Sequence, residues 1–128
     1  MKLPAMLALA AMSLSACTTS GPGMLVEQGY DRGALGVAAI DRGDWASAED
    51  QLMEMRGVRA DDPARLINLG KVYMETGRPA LALSAWRLAL ASEKHFEVET
   101  RDGRVVSTAD LARQALAMHD PGVRSASR

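Results

Sequence analysis

Aromatic residues are scarce in this chain: two Trp, two Tyr and one Phe among 128 residues. With so few rings, a stacking platform for nucleic-acid bases has little to be built from. Charge offers no alternative route to nucleic acid, because 15 Lys and Arg stand against 16 Asp and Glu, and no broad basic face emerges. There is a single cysteine, Cys17, so no disulfide can form within the chain. The two histidines, His95 and His119, are too far apart in sequence for a paired-histidine metal motif. Nucleophile elbow, paired-histidine zinc helix and phosphate-cradling glycine loop are all missing. Glu97 and Glu99 share one face of an expected strand, which reads more simply as a solvated face than as a catalytic acid pair. An enzyme therefore has nothing to rest on, and no cofactor or metal is implied. The apolar run from Leu3 to Met12, broken by Pro4, is shorter than the about 20 residues a spanning helix needs.

What the chain does contain is an echo. Leu35-Gly36 returns as Leu69-Gly70, Gly43 as Gly77, Ala46 as Ala80, Ala48 as Ala82, and Leu52 is matched by Trp86, all at an offset of 34 residues. A fixed period of this length means one supersecondary unit used twice. The second copy is the clearer. Asp61-Asp62-Pro63 forms a helix start, with an acidic cap and proline at the first helical position. Leu66, Leu69, Gly70 and Tyr73 then share one face, and Gly77 ends the helix. Pro79 opens a second helix with an expected buried stripe of Leu81, Ala82, Ala85, Trp86, Ala89 and Leu90. In the first copy Asp44 is a helix cap, but Gly29, Gly33 and Gly36 each cost a helix interior about 1 kcal/mol against Ala, so that helix is expected to fray at its start.

This pattern resembles the tetratricopeptide (TPR) repeat: Leu66, Leu69-Gly70, Tyr73, Gly77, Ala82, Trp86 and Ala89 stand where that family has the same residue types. Repeat one keeps Leu35-Gly36, Gly43, Ala48 and Leu52, with Trp45 where Tyr is common, and departs at Gly33, Ala39 and Met55. The resemblance implies an all-α array of two helix–turn–helix pairs, residues 29–62 and 63–96. It also implies a concave groove lined by the first helix of each pair. Carried over, the groove positions are Tyr30, Gly33, Val37, Ile40 and Asp41 in repeat one. In repeat two they are Ala64, Ile67, Lys71, Met74 and Glu75, with Asn68 placed to bond a peptide backbone. Gly33 and Val37 occupy the places of a carboxylate clamp's Lys and Asn, so that clamp is not expected. A peptide with apolar anchors suits the groove better. The plainer alternative is that Val37 and Ile40 pack against another helix of the chain.

After Phe96 the period stops. Alternating residues on both sides of Asp102-Gly103 predict a β-hairpin, and Ser107-Thr108-Ala109-Asp110 resembles a capping box opening a helix with Leu111, Ala115 and Leu116 inward. Residues 97–118 are thus expected as a hairpin plus capping helix, and 119–128 as a disordered tail. The mature segment's methionines (24, 53, 55, 74, 118) are expected to fill core gaps, Met74 excepted. Two repeats are fewer than a free-standing solenoid usually has, so the first helix is expected to need cover from a partner, a second copy, or residues near Met24–Val26.

The start of the chain is a different segment. Lys2, the apolar run and Leu14-Ser15-Ala16-Cys17 resemble the signal and lipobox of bacterial lipoproteins. That resemblance implies a signal-peptide helix over 1–16, cleavage before Cys17, acylation of Cys17, and a tether over 17–28. Acyl chains each add about 0.8 kcal/mol per buried CH2, and two or more hold firmly. Thr18 rather than Asp after the cysteine favours the outer membrane within that family. The alternative is an ordinary cysteine at a signal-peptidase site or in a buried helix. Together these expectations describe a periplasm-facing, lipid-anchored TPR adaptor of the bacterial cell envelope. Its partners would be other envelope proteins or peptides. Small TPR lipoproteins serve pilus, secretion or envelope assembly. A self-associating structural tether is the competing reading, and nucleic acid is not an expected partner.

Overall fold

The computed structural model describes residues 29–126. The expected signal peptide, Cys17, the tether and Met24 lie outside the described residues. The fold is mostly helical with one small antiparallel sheet. Its elements, in order, are α1 (Val37–Asp41), α2 (Trp45–Glu54), α3 (Pro63–Glu75), α4 (Pro79–Leu90), β1 (Glu97–Glu99), β2 (Val105–Ser107), α5 (Thr108–His119) and α6 (Pro121–Ala126).

The glycine-rich start behaves as its composition predicts. Gly29, Gly33 and Gly36 all take positive φ, and helix begins only at Val37. At Gly36 the reason is double: φ is +64°, and an added Cβ would lie 3.2 Å from the Ala48 carbonyl oxygen of α2. The 34-residue echo reappears in the backbone. Asp44 N–H donates to Ala39 C=O at 2.9 Å, and Arg78 N–H donates to Tyr73 C=O at 2.8 Å. Gly43 N–H reaches Ile40 C=O at 3.0 Å, and Gly77 N–H reaches Met74 C=O at 3.2 Å. Both helix ends thus close in the same Schellman-type turn, so the sequence repeat is also a repeat of local geometry.

Helix α3 is the centre. It packs on α2, α4 and α5, and every residue from Pro63 to Gly70 is buried. Asp62 caps it by accepting from Arg65 N–H at 3.0 Å. Gly70 exists to admit a ring: a Cβ there would sit 2.2 Å from Trp86 Nε1, whose N–H donates to Ile67 C=O at 3.1 Å. Buried Arg65 ties α3 to the end of α2, donating through Nε to Leu52 C=O at 2.7 Å and through Nη1 to Ala60 C=O at 3.2 Å. One apolar cluster joins Ala39, Ile40, Ala48, Leu52, Leu69 and Val72 between the first helices and α3. Another joins Ala82 and Trp86 of α4 to Ala115 and Leu116 of α5.

The hairpin forms in the expected place, with Glu97 opposite Ser107, Val98 opposite Val106 and Glu99 opposite Val105. Several local expectations are corrected. Ser107 caps α5 by accepting from Ala109 N–H at 3.2 Å, but Asp110 pairs with Arg113 instead of closing a capping box. Residues 121–126 of the expected disordered tail are helical, because Asp120 accepts from Gly122 N–H at 2.9 Å and starts α6 behind Pro121. Leu81 is exposed, not part of the buried stripe of α4, since its face has no neighbouring helix. The described methionines are not core fillers: Met53, Met55 and Met118 are exposed, and Met74 is half-buried. The cores are instead filled by alanine, leucine, valine, isoleucine and one tryptophan, whose close helix approach leaves no gap for a long flexible side chain. Among the described residues, no helix is long and apolar enough to cross a membrane.

Candidate binding surface

The residues assigned to a groove come from α1, α3 and the turn segment before α1, and they divide into two groups. Ile40 and Ile67 are buried, and Ala64 is fully enclosed. Asn68 is also buried, and its side-chain amide donates to Leu35 C=O at 2.8 Å, locking the segment before α1 onto α3. These four are thus internal in the free protein. Tyr30 and Val37 are half-buried and pack on the cluster that contains Ile67, Val98 and Leu111.

Tyr30 donates its hydroxyl proton to Asp62 Oδ2 at 3.1 Å, on the same carboxylate that caps α3. Burial and the adjacent Asp62 charge push that hydroxyl well above its ordinary range, so it stays protonated and remains a donor.

The polar members are more accessible. Lys71 pairs with Glu75 at 2.7 Å, one turn along α3, and lies 5.8 Å from the centre of the Trp45 ring. Asp41, at the end of α1, pairs with Arg101 from the tip of the hairpin. Met74 joins the α4–α5 cluster. The expected open groove is therefore covered in part by the chain's own hairpin. Arg101 reaches Asp41, and Val98 enters the cluster shared by Tyr30, Val37 and Ile67. At the C-terminal end of α1 the hairpin contributes the Arg101–Asp41 pair, and the residues near Met24–Val26 expected to cover the start of the first helix lie outside the described residues.

A second surface was not foreseen. A cleft of about 580 Å³ opens between the α2–α3 loop and the end of α4. Pro63, Leu66, Leu88 and Phe96 form its apolar lining, with Arg59, Asp61, Glu93 and Lys94 around it. Arg59 and Asp61 hold one another at 2.8 Å, which keeps the Asp61 carboxyl below the usual carboxylate range. Leu88 is 59% exposed. Part of a signal for this surface was present: Leu88 lies off the Ala82–Trp86–Ala89 stripe of α4, so helix period leaves it outside the core. Its closure by Phe96 and the α2–α3 loop depends on tertiary placement that no local pattern carries.

His95 ends as a structural bridge, with Nε2 3.2 Å from Leu90 O and Nδ1 3.1 Å from Thr108 Oγ1. His119 stacks on Trp86 with ring centres 5.3 Å apart. Glu97 and Glu99 both face outward from β1. Among the described residues, no group of three or more His, Cys, Asp or Glu could hold a metal ion. Chemically the cleft offers apolar contact edged by charged side chains, and the face of α1 and α3 offers paired charges above a largely internal apolar layer. No protein-family model matches the chain, and no curated protein or solved structure is significantly similar to it.

Proposed function

We propose that this chain is a lipid-anchored adaptor of the bacterial cell envelope, built on two TPR-like helix pairs, that binds another envelope protein through the groove of α1 and α3. The observation that carries the reading is the 34-residue equivalence, which holds both in residue type and in the hydrogen bonding of the two helix ends. Gly70 against Trp86, with Gly36 against Leu52, adds the close backbone approach that paired helices of this kind require. The anchor rests on Leu14-Ser15-Ala16-Cys17, and Thr18 inclines it toward the outer membrane.

The anchor is tested by fractionating cells that express the full chain or its Cys17→Ala form. The proposal expects the first in the membrane as a processed species and the second with its signal uncut. Normal anchoring of the alanine form would overturn it. The binding role is tested by Lys71→Glu, which reverses the charge of the groove's partly exposed cation. Partner capture should fall while the protein's own mass in solution stays the same. Asn68 is unsuitable for this purpose, because its amide holds Leu35 inside the fold.

A second reading, a self-associating tether without a client, is favoured by exposed Leu81 and Leu88 on α4. It predicts concentration-dependent dimers that Leu88→Asp abolishes.

A further inference from the structure

We infer that the β-hairpin acts as an internal stand-in for the partner. Val98 and Arg101 occupy the groove, and the external ligand is an extended segment with an aliphatic side chain followed, three residues on, by a cation. The inference rests on the groove reading above, and adds both what covers the groove and what displaces the cover.

The hairpin is organised largely from within. Its strands pair over three residues each, and its tip closes through Thr100 N–H to Arg104 C=O at 2.8 Å and Gly103 N–H to Thr100 C=O at 2.8 Å. The Thr100 hydroxyl donates to Asp102 and lies 3.0 Å from Arg104 O, and Arg104 pairs with Asp102 at 2.6 Å. The unit is tied at its root by Thr108 N–H to Phe96 C=O at 3.0 Å. Such a unit can lift about its root without losing these bonds.

Its hold on the helices comes from few side chains: Val98 and Thr100 are buried, half-buried Val106 packs on the core, and Arg101 meets Asp41 while its own side chain remains 59% exposed. Exposed ion pairs contribute little, and a short two-stranded sheet is marginal without support. The cluster that Val98 joins takes in Ile67 of α3 and Leu111 of α5, with Tyr30 and Val37 packed against it, and the Asp41 carboxylate is the group that Arg101 reaches. Lifting the hairpin would uncover an apolar strip that ends in a negative charge. The side chains removed from it, Val98 and Arg101, define what a replacement must bring.

The test uses the full-length protein and a fluorescent synthetic peptide that copies residues 96–102. Arg101→Glu places two carboxylates together and loosens the tip. The peptide should bind this variant at least tenfold more tightly than the wild type, and a copy with aspartate for the valine should not bind. Val98→Ala, which removes the aliphatic plug without adding charge, should give an intermediate gain. Hydrogen exchange should rise at 37–41 and 97–107 in Arg101→Glu, stay unchanged at 79–90, and return toward wild type in the Asp41→Arg/Arg101→Glu double variant. Equal binding to wild type and variant, or binding to neither, overturns the inference. So does a rise in exchange across all helices together, which would make the hairpin an inseparable part of the core. Because the assay needs neither lipid nor a natural partner, a failed envelope adaptor role would leave its result standing.

Discussion

Replacing Gly70 by alanine should destabilise the protein, although the change improves helix propensity. Propensity alone favours alanine by about 1 kcal/mol inside a helix. Against this, the new Cβ would lie 2.2 Å from Trp86 Nε1, 2.6 Å from Cδ1 and 2.7 Å from Cε2. Ordinary contact begins near 3.4 Å, so the ring must retreat by more than an ångström. It has little room, being 2% exposed and packed against Ala82, Ala115 and Leu116. Overpacking of this kind costs about 1–3 kcal/mol. Retreat also breaks the bond from the indole N–H to Ile67 C=O, and a buried donor left unpaired costs about 1–3 kcal/mol more. The net expectation is a loss of about 1–5 kcal/mol, centred near 3, and a loss of about 3 kcal/mol lowers the thermal midpoint of a domain of this size by roughly 12–24 °C. Circular dichroism melts of the two proteins measure it. Repeat one faces its glycine with Leu52 instead of a tryptophan, so in a Trp86→Leu background the same change should cost less than about 1 kcal/mol. A midpoint for Gly70→Ala equal to or above that of the wild type would refute the close-approach account.

Other outcomes follow from individual contacts. Met55 is the one non-glycine residue with positive φ among the described residues, and its side chain is exposed, so Met55→Gly should stabilise by up to about 1 kcal/mol in urea denaturation. Asp62→Ala removes the acceptor for both Arg65 N–H and the Tyr30 hydroxyl, and should cost about 1–3 kcal/mol by the same assay. Arg65→Lys keeps the charge but cannot serve Leu52 and Ala60 with one planar fork, so it should destabilise by about 1–3 kcal/mol. The Arg78 guanidinium donates to Glu49 and holds that carboxyl below its ordinary range. A depressed folded pKa adds stability above the unfolded value and loses it as pH falls through the folded value. Melting midpoints should therefore drop below about pH 4, and Glu49→Gln should flatten that drop.

The sequence disclosed the elements better than their exposures. Asp62-Pro63, Gly77-Arg78-Pro79 and Asp102-Gly103 are local signals, and each punctuates the fold where it stands. Helix period identified Leu66, Leu69 and Trp86 as internal, because their burial follows from the face they share. It misplaced Leu81, since a helix rich in leucine on several faces does not tell which face lacks a neighbour. The tail helix was hidden because it depends on Asp120, which both caps α6 and pairs with Arg87 of α4 at 2.5 Å. The groove residues were legible as a set but not as a surface. Their cover comes from Val98 and Arg101, and Arg101 lies 60 residues beyond the Asp41 it meets. A long-range ion pair has no periodicity to betray it.

The central claim is that the face of α1 and α3 engages another protein in the envelope. Site-specific photo-crosslinking in intact cells tests it most directly, with the reactive group at Lys71 on that face and, in a second strain, at Arg113 on the exposed side of α5. The account predicts a discrete adduct with a different protein from position 71 and none of that size from position 113. Adducts only with a second copy of the chain, or the same products from both positions, would contradict it.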